Sequence, residues 1–137
     1  MKKSALEAEF DLIWKQVVSE SADPKALSLV SEHPFARSVG RKFRFDRCSL
    51  DKRVAVEIQG GTWTGGRHTS PQGYRKDCEK LLIAAELHWQ IIYLTSDMLT
   101  LTNLRRIAGI INSRQRIEGA DHDWLICNTI ENKQEGN

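Results

Sequence analysis

The chain has 137 residues, about the size of one domain and long enough to bury a core without disulfides or a structural metal. Hydrophobic residues at 40% and charged residues at 28% exclude a fibrous or wholly disordered protein. Its three cysteines are far apart and lack the spacing that a zinc site needs.

We therefore expect one domain over residues 1–137, with a polar, frayed tail at 131–137. No apolar run has the length of a membrane span or the form of a signal peptide, so a cytoplasmic protein is expected. The net charge of +2 is too small to indicate a polyanionic partner alone, but basic residues are concentrated between residues 37 and 53.

The first predicted element is a helix, because Ser4 and Glu7 form a capping-box pattern. Four apolar side chains then recur at helical spacing: Leu6, Phe10, Ile13 and Val17. The helix should end by residues 21–24. A second, short helical piece is predicted over residues 25–31, before Pro34 forces extended backbone.

Three strands are predicted next, over residues 35–39, 42–48 and 54–59. In the last two, apolar and polar side chains alternate, so each strand should have one apolar and one polar face. A hairpin that places Phe45 opposite Ile58 also places Asp46 opposite Glu57, and a slip of one residue would set apolar against polar side chains. The pattern therefore predicts that the two acids lie side by side.

A glycine-rich stretch at residues 60–69 precedes a helix that Ser70 caps. The predicted core stripe of this helix consists of Tyr74, Cys78, Leu81, Leu82 and Ala85. A buried strand is predicted over residues 89–94, and a last helix capped by residues 95–97. The buried stripe of the last helix consists of Leu101, Leu104, Ile107, Ala108 and Ile111. An apolar cluster at residues 124–127 is expected to dock on the core.

Four short motifs carry a family resemblance: RFD at residues 44–46, VEIQGG at 56–61, GGRH at 65–68 and DCEK at 77–80. In combination they resemble the PD-(D/E)XK nuclease superfamily, and more narrowly its small phage and bacterial endonuclease-like proteins, over residues 34–98. The resemblance implies an α/β fold with a restriction-endonuclease-like core. In such a core a mixed central sheet, made of an antiparallel hairpin plus a crossover strand, is flanked by helices.

The resemblance also implies a metal site. Asp46, Glu57 and the backbone carbonyl of Ile58 would bind Mg²⁺, for which Mn²⁺ is the expected substitute. Glu7 resembles the additional acid that some relatives point at the metal, although a capping role explains it equally well. Gln59 stands where the superfamily normally has lysine.

The missing positive charge would come from Lys80 on the following helix, with Arg44 as the second choice. His68 is a candidate phosphate contact or proton carrier, with a solvated loop histidine as the alternative. Asp77 and Lys80 could equally form a surface ion pair. The expected DNA-binding residues are Arg41, Lys42, Arg44, Arg67, Arg105 and Arg106.

The expected function is thus a metal-dependent DNA endonuclease, structure-specific or nicking. The alternative is a nuclease-fold module that binds DNA or a protein partner without cleaving, which the glutamine at position 59 makes credible. Monomer and homodimer both stay open, and a symmetric pair of sites would cut two strands.

Overall fold

The computed structural model describes residues 4–60 and 70–117. Within these ranges the chain forms three α-helices and four strands, in the order α1 (Ala5–Ser19), β1 (Val30–His33), β2 (Phe45–Ser49), β3 (Val54–Gln59), α2 (Pro71–Glu86), β4 (Gln90–Thr95) and α3 (Leu101–Ser113). The predicted α/β class, a mixed sheet flanked by helices, is confirmed.

The four strands form one sheet in the order β1-β2-β3-β4. The pairs β1–β2 and β2–β3 are antiparallel, whereas β3–β4 is parallel and α2 supplies the crossover. In the hairpin, Arg47 pairs with Val56 and Cys48 with Ala55. This is the predicted register, and its continuation sets Asp46 opposite Glu57.

Each α-helix begins at a hydroxyl cap that accepts a hydrogen bond from a backbone N–H of the first turn. Ser4 caps α1, Ser70 caps α2 with Pro71 in the first turn, and Thr100 caps α3. The predicted cap of α3 at residues 95–97 is wrong, because Ser96–Met98 forms a 3₁₀ turn before the helix. No helix in the described ranges has both the length and the apolar character to cross a bilayer.

The sheet is covered on both faces. On one face α1 and α3 pack against β3, and their shared core contains Phe10, Trp14, Leu104, Ile107 and Ile111 together with Val54 and Val56. On the other face α2 contributes Ala84 to a core of Phe35, Phe45, Cys48, Ala55 and Trp89. The expected polar face of β3 is therefore wrong: Val54 through Glu57 are all buried, because helices lie on both sides.

The segment before the hairpin differs from the prediction. Residues 25–31 do not form a helix: Pro24–Leu27 is a single 3₁₀ turn, and the edge strand β1 runs over Val30–His33. The predicted strand at residues 35–39 is a turn with a 3₁₀ helix at Arg37–Val39, and β2 begins only at Phe45. Phe35 is nevertheless buried, stacked on Phe45 with ring centroids 3.9 Å apart, so its apolar character reflects core packing in a turn.

The predicted core stripe of α2 is also wrong. Helix α2 contacts the core through Ala84, with Ile83 and Leu87 partly buried beside it. Every member of the predicted stripe is exposed: Tyr74, Cys78, Leu81, Leu82 and Ala85. The apolar stripe therefore faces away from the sheet. The stripe of α3 is confirmed, because Leu104, Ile107, Ala108 and Ile111 are buried.

Candidate metal centre

Asp46 and Glu57 contact each other across the β2–β3 hairpin. The backbone N–H of Asp46 donates to Glu57 Oε2 at 2.9 Å, and the backbone N–H of Ile58 donates to Asp46 Oδ2 at 2.8 Å. Each carboxylate thus accepts a hydrogen bond from the opposite strand, in place of regular ladder bonding. The two acids are therefore neighbours in the predicted register, but each carboxylate bonds a backbone N–H, and Glu57 is not among the acids clustered with Asp46.

A local irregularity of β2 positions Asp46. Phe45 packs on the α2 side of the sheet, with its ring 4.8 Å from that of Trp89, whereas Arg47 reaches the α1 side. The usual alternation of side chains is therefore interrupted at Asp46. On β1, Glu32 lies opposite in the continued register and has a positive φ of 53°. The β1–β2 register is the same on both sides of Asp46, so the interruption inserts no extra residue into β2.

Two further acids lie close to Asp46. Carboxylate oxygens of Glu7, Glu32 and Asp46 lie within 4.8 Å of one another, and all three residues are half-buried. Glu7 reaches this position from the first turn of α1, which approaches the end of β3 closely. A Cβ at Gly60 would lie 3.0 Å from Leu6 Cδ1, so this part of α1 packs directly on the end of β3.

Arg47 ties the acidic group to helix α1. Its guanidinium is 5% exposed and donates to both carboxylate oxygens of Asp11 at 2.9 Å and to Glu7 Oε1 at 2.8 Å. These hydrogen bonds, those of Asp11 above all, raise the pKa of Arg47 above its ordinary value, so it stays charged. One buried cation therefore holds Glu7 in place while partly offsetting the negative charge.

Glu57 lies on the α2 side of the hairpin, away from α1, and pairs with Lys80 of α2. The Lys80 ammonium donates to Glu57 Oε1 and also lies 5.7 Å from the ring centroid of Phe45. Burial raises the pKa of Glu57 to about 7, although Lys80 and the Asp46 N–H favour the carboxylate. The structure thus brings the predicted Lys80 to Glu57.

Gln59 is half-buried at the end of β3, two residues beyond Glu57 on the same strand. Its parallel neighbour is Thr95, and that of Glu57 is Tyr93. Tyr93 is 45% exposed. Burial and the nearby carboxylates of Glu57 and Asp77 raise the pKa of the Tyr93 phenol. Tyr93 thus places a hydroxyl group near Glu57, and it lies outside the four sequence motifs.

The predicted DNA-binding residues fall into two groups. Lys42 and Arg44 are exposed in the segment before β2. Arg41 instead pairs with Glu79 of α2 at 2.8 Å. On α3, Arg105 forms a two-pronged pair with Glu20, and exposed Arg106 donates to Asn103 at 3.2 Å. Arg105 is therefore already paired with an acid, and Arg106 already donates to an amide oxygen, so neither guanidinium is fully available to a phosphate.

Some predictions lie outside the described residues. These are Arg67, His68 and the rest of the glycine-rich stretch from residue 61, as well as the apolar cluster at residues 124–127 and the tail at 131–137.

Two residues of the centre do not stand out in the sequence. Glu32 is hidden because residues 25–31 are predicted as a helix, which conceals the strand that carries it. Arg47 is one of several basic residues between 37 and 53. Strand alternation would place Arg47 on the same side as Phe45, so the sequence gives no signal for its contact with Glu7 and Asp11 of α1.

The donor set fits a hard divalent cation. Its ligand atoms are carboxylate oxygens, which Mg²⁺ and Mn²⁺ accept, and it contains neither thiolate nor imidazole of the kind a zinc site uses. Glu57 is not one of the three acids in this set: its carboxylate accepts from the Asp46 backbone and from Lys80 of α2. No protein-family model, curated protein or solved structure matches the chain.

Proposed function

We propose that the protein is a Mg²⁺-dependent endonuclease that hydrolyses phosphodiester bonds in DNA. Asp46 and Glu57 would hold the metal, with Glu7 and Glu32 as the additional acids on the α1 side. The proposal includes the cytoplasm as the location and DNA as the partner, as the sequence motifs imply.

One observation carries the proposal. The Glu57 carboxylate accepts from the Asp46 backbone across the hairpin, and the carboxylates of Glu7 and Glu32 lie within 4.8 Å of that of Asp46. Crowded carboxylates repel one another, and Arg47 and Lys80 offset only part of this charge. A divalent cation would relieve the repulsion, and when bound it supplies a hydroxide near neutral pH and stabilises charge on a phosphate.

The remaining roles belong to side chains of the chain itself. Lys80 brings a positive charge to Glu57, which compensates for the neutral Gln59. In this role its ammonium would contact a phosphate oxygen and stabilise the charge that develops during hydrolysis. Gln59 would donate a hydrogen bond to water or phosphate. Exposed Lys42 and Arg44 would contact the phosphate backbone on the approach to the centre.

The test is a nicking assay on supercoiled plasmid and on labelled duplex, flap, fork and four-way-junction DNA, with Mg²⁺ or Mn²⁺. We expect metal-dependent cleavage that Asp46→Asn and Glu57→Gln abolish. Because both changes preserve side-chain shape, circular dichroism should show an intact fold. Glu86→Gln, at an exposed acid at the end of α2, is the matched control and should cleave normally. Cleavage that persists in EDTA or in both site variants would contradict the proposal.

The second candidate is a DNA-binding module without turnover, and Gln59 in place of the usual lysine favours it. This alternative predicts salt-sensitive DNA binding with no cleavage in Mg²⁺, Mn²⁺ or Co²⁺. Calorimetric titration of Mn²⁺ measures ion binding separately from DNA cleavage. A protein that binds the ion but does not cleave DNA would support the second candidate. Loss of Mn²⁺ binding in Asp46→Asn would show that the ion uses this centre.

A further inference from the structure

The outward face of α2 carries an exposed apolar stripe. Tyr74 is 66% exposed, Leu82 63% and Leu81 41%, and Cys78 and Ala85 are exposed between and beside them. Their spacing of three and four residues places them on one side of the helix. The stripe is thus a small apolar surface that a short apolar segment could cover.

This stripe is not the surface by which α2 holds the sheet. The helix contacts the core through Ala84, Ile83 and Leu87, which lie on its other side. Lys80 also points inward, to Glu57. The stripe is thus a second apolar face on the same helix, separate from both the core and the candidate metal centre.

The described chain ends close to one end of this stripe. The N–H of Ile117 donates to the Asp51 carbonyl at 2.7 Å, so the exit point is fixed at the β2–β3 turn. Arg114 donates to the carbonyl of Arg53 at 3.0 Å, and Arg53 donates to that of Leu87 at 2.9 Å. Leu87 caps the C-terminal end of α2, two residues after Ala85.

The residues after Ile117 include an apolar stretch, and the chain before it is long enough to bring that stretch to α2. Residues 124–130 contain Trp, Leu, Ile, Cys and a second Ile, and we name them the C-terminal apolar segment. From Ile117 to Trp124 an extended chain spans at most roughly 24 Å. The stripe from Tyr74 to Ala85 is about 16 Å long, at 1.5 Å per helical residue. The segment can therefore reach the stripe from its C-terminal end.

We propose that the C-terminal apolar segment of the same chain docks on the α2 stripe. A strip about 16 Å long and about 10 Å wide is small beside the roughly 800 Å² that each partner buries in a stable dimer. A tethered segment loses little translational entropy on docking and acts at an effective concentration in the millimolar range. The same apolar area therefore suffices within one chain where it would not hold two chains together.

Two cysteines provide the test, because Cys78 lies on the stripe and Cys127 belongs to the segment. Cys48 is buried and burial raises its pKa to about 12, so it stays unreactive. Dilute full-length protein is treated with a short bis-maleimide and mapped by mass spectrometry. We expect an intrachain Cys78–Cys127 link in most molecules, absent in Cys78→Ser. A Cys78–Cys78 link between chains would overturn the proposal in favour of a second copy.

Hydrogen exchange gives an independent measurement that needs no cysteine chemistry. Leu82→Glu places a charge on the stripe without touching the core, so we expect faster exchange in the peptide covering residues 120–130. Leu12→Glu, at a leucine of α1 that is 72% exposed, is the matched control and should leave that peptide unchanged. Equal exchange of this peptide in wild type and Leu82→Glu, together with no intrachain link, would overturn the proposal.

Discussion

At the scale of single residues, Glu57 is the ionisable group of the centre that burial perturbs most. It lies between two strands, and burial outweighs both the Lys80 ammonium and the Asp46 N–H, so its pKa rises to about 7 from the ordinary value of 4.5. Without metal, burial makes the Glu57 carboxylate less favourable in the folded chain than in water. A bound cation would stabilise it. The same imbalance makes a measurable prediction about stability.

Glu57 should make stability fall as the pH rises. Because the folded chain binds this proton more tightly than the unfolded chain, its favourable contribution is complete below pH 4.5 and disappears as the pH passes through 7. Glu57→Gln is neutral at every pH. In urea denaturation without metal, the stability of wild type minus that of the variant should decrease between pH 4.5 and 7, by on the order of 3 kcal/mol.

The opposite slope would contradict this expectation. A difference that grows with pH would mean that Lys80 stabilises the Glu57 anion by more than burial costs. Glu79→Gln, which removes a half-exposed acid of α2 far less buried than Glu57, is the control and should show little pH-dependent difference.

The motifs predicted the acids better than their supporting residues. Asp46 and Glu57 could be placed together because strand alternation and register are local properties of the hairpin. Glu32 and Arg47 depend on contacts between β1, β2 and α1, which are distant in sequence. Local periodicity carries no information about such contacts, so the sequence could not identify these residues' role.

At the scale of elements, α1 is attached to the sheet by a polar contact as well as by its core. Arg47 of β2 holds Asp11 and Glu7, one turn apart on the helix, and is itself almost fully buried. Since Glu7 belongs to the acidic group, this contact links the docking of α1 to the shape of the candidate centre.

Arg47→Met should destabilise the fold and disturb the centre together. The change removes a buried cation and leaves the Glu7 and Asp11 charges without it, which we expect to cost about 3 kcal/mol. Urea denaturation measures this decrease, and Mn²⁺ titration should show weaker binding because Glu7 is no longer held. Arg37→Met, at an exposed arginine, is the matched control. Unchanged stability in Arg47→Met would show that the ion pairs of Arg47 contribute nothing.

The elements differed in how well the sequence predicted them. Helices α1 and α3 and strand β3 have clear periodicity and are present where they were predicted, although the cap of α3 and the polar face of β3 were predicted wrongly. Strand β1 has only four residues at the sheet edge, with no buried alternation, so no pattern marks it. Helix α2 has two apolar sides, and the sequence could not show that the narrower one, around Ala84, faces the sheet.

At the scale of the whole molecule, several of the basic side chains in the described ranges are already paired with acids. Arg41, Arg47 and Arg105 each contact an acid, whereas Lys42 and Arg44 are exposed in the segment that leads into β2. A net charge of +2 would give weak general attraction to DNA. Any DNA contact should therefore depend on the few exposed cations near the hairpin.

The salt dependence of DNA binding tests this arrangement. The double variant Lys42→Gln with Arg44→Gln should bind more weakly, and the slope of log K against log salt should decrease by roughly 0.9 for each phosphate that the variant no longer neutralises. Fluorescence anisotropy with a labelled duplex over a range of salt measures it. Arg105→Gln, which removes a charge already paired with Glu20, is the comparison and should change the slope less. Equal slopes in all three proteins would exclude residues 42 and 44 from the interface.

The hydrogen bonds that exchange carboxylates between β2 and β3 have a consequence for protein design. Asp46 is oriented by the backbone of Ile58, and Glu57 by the backbone of Asp46 and by Lys80 of α2. The stretch from residue 46 to residue 58, together with a lysine at the position of Lys80, is therefore a transferable unit. Built into another antiparallel sheet with the same pairing, it should bring both oxygen donors to the new scaffold in their original orientation.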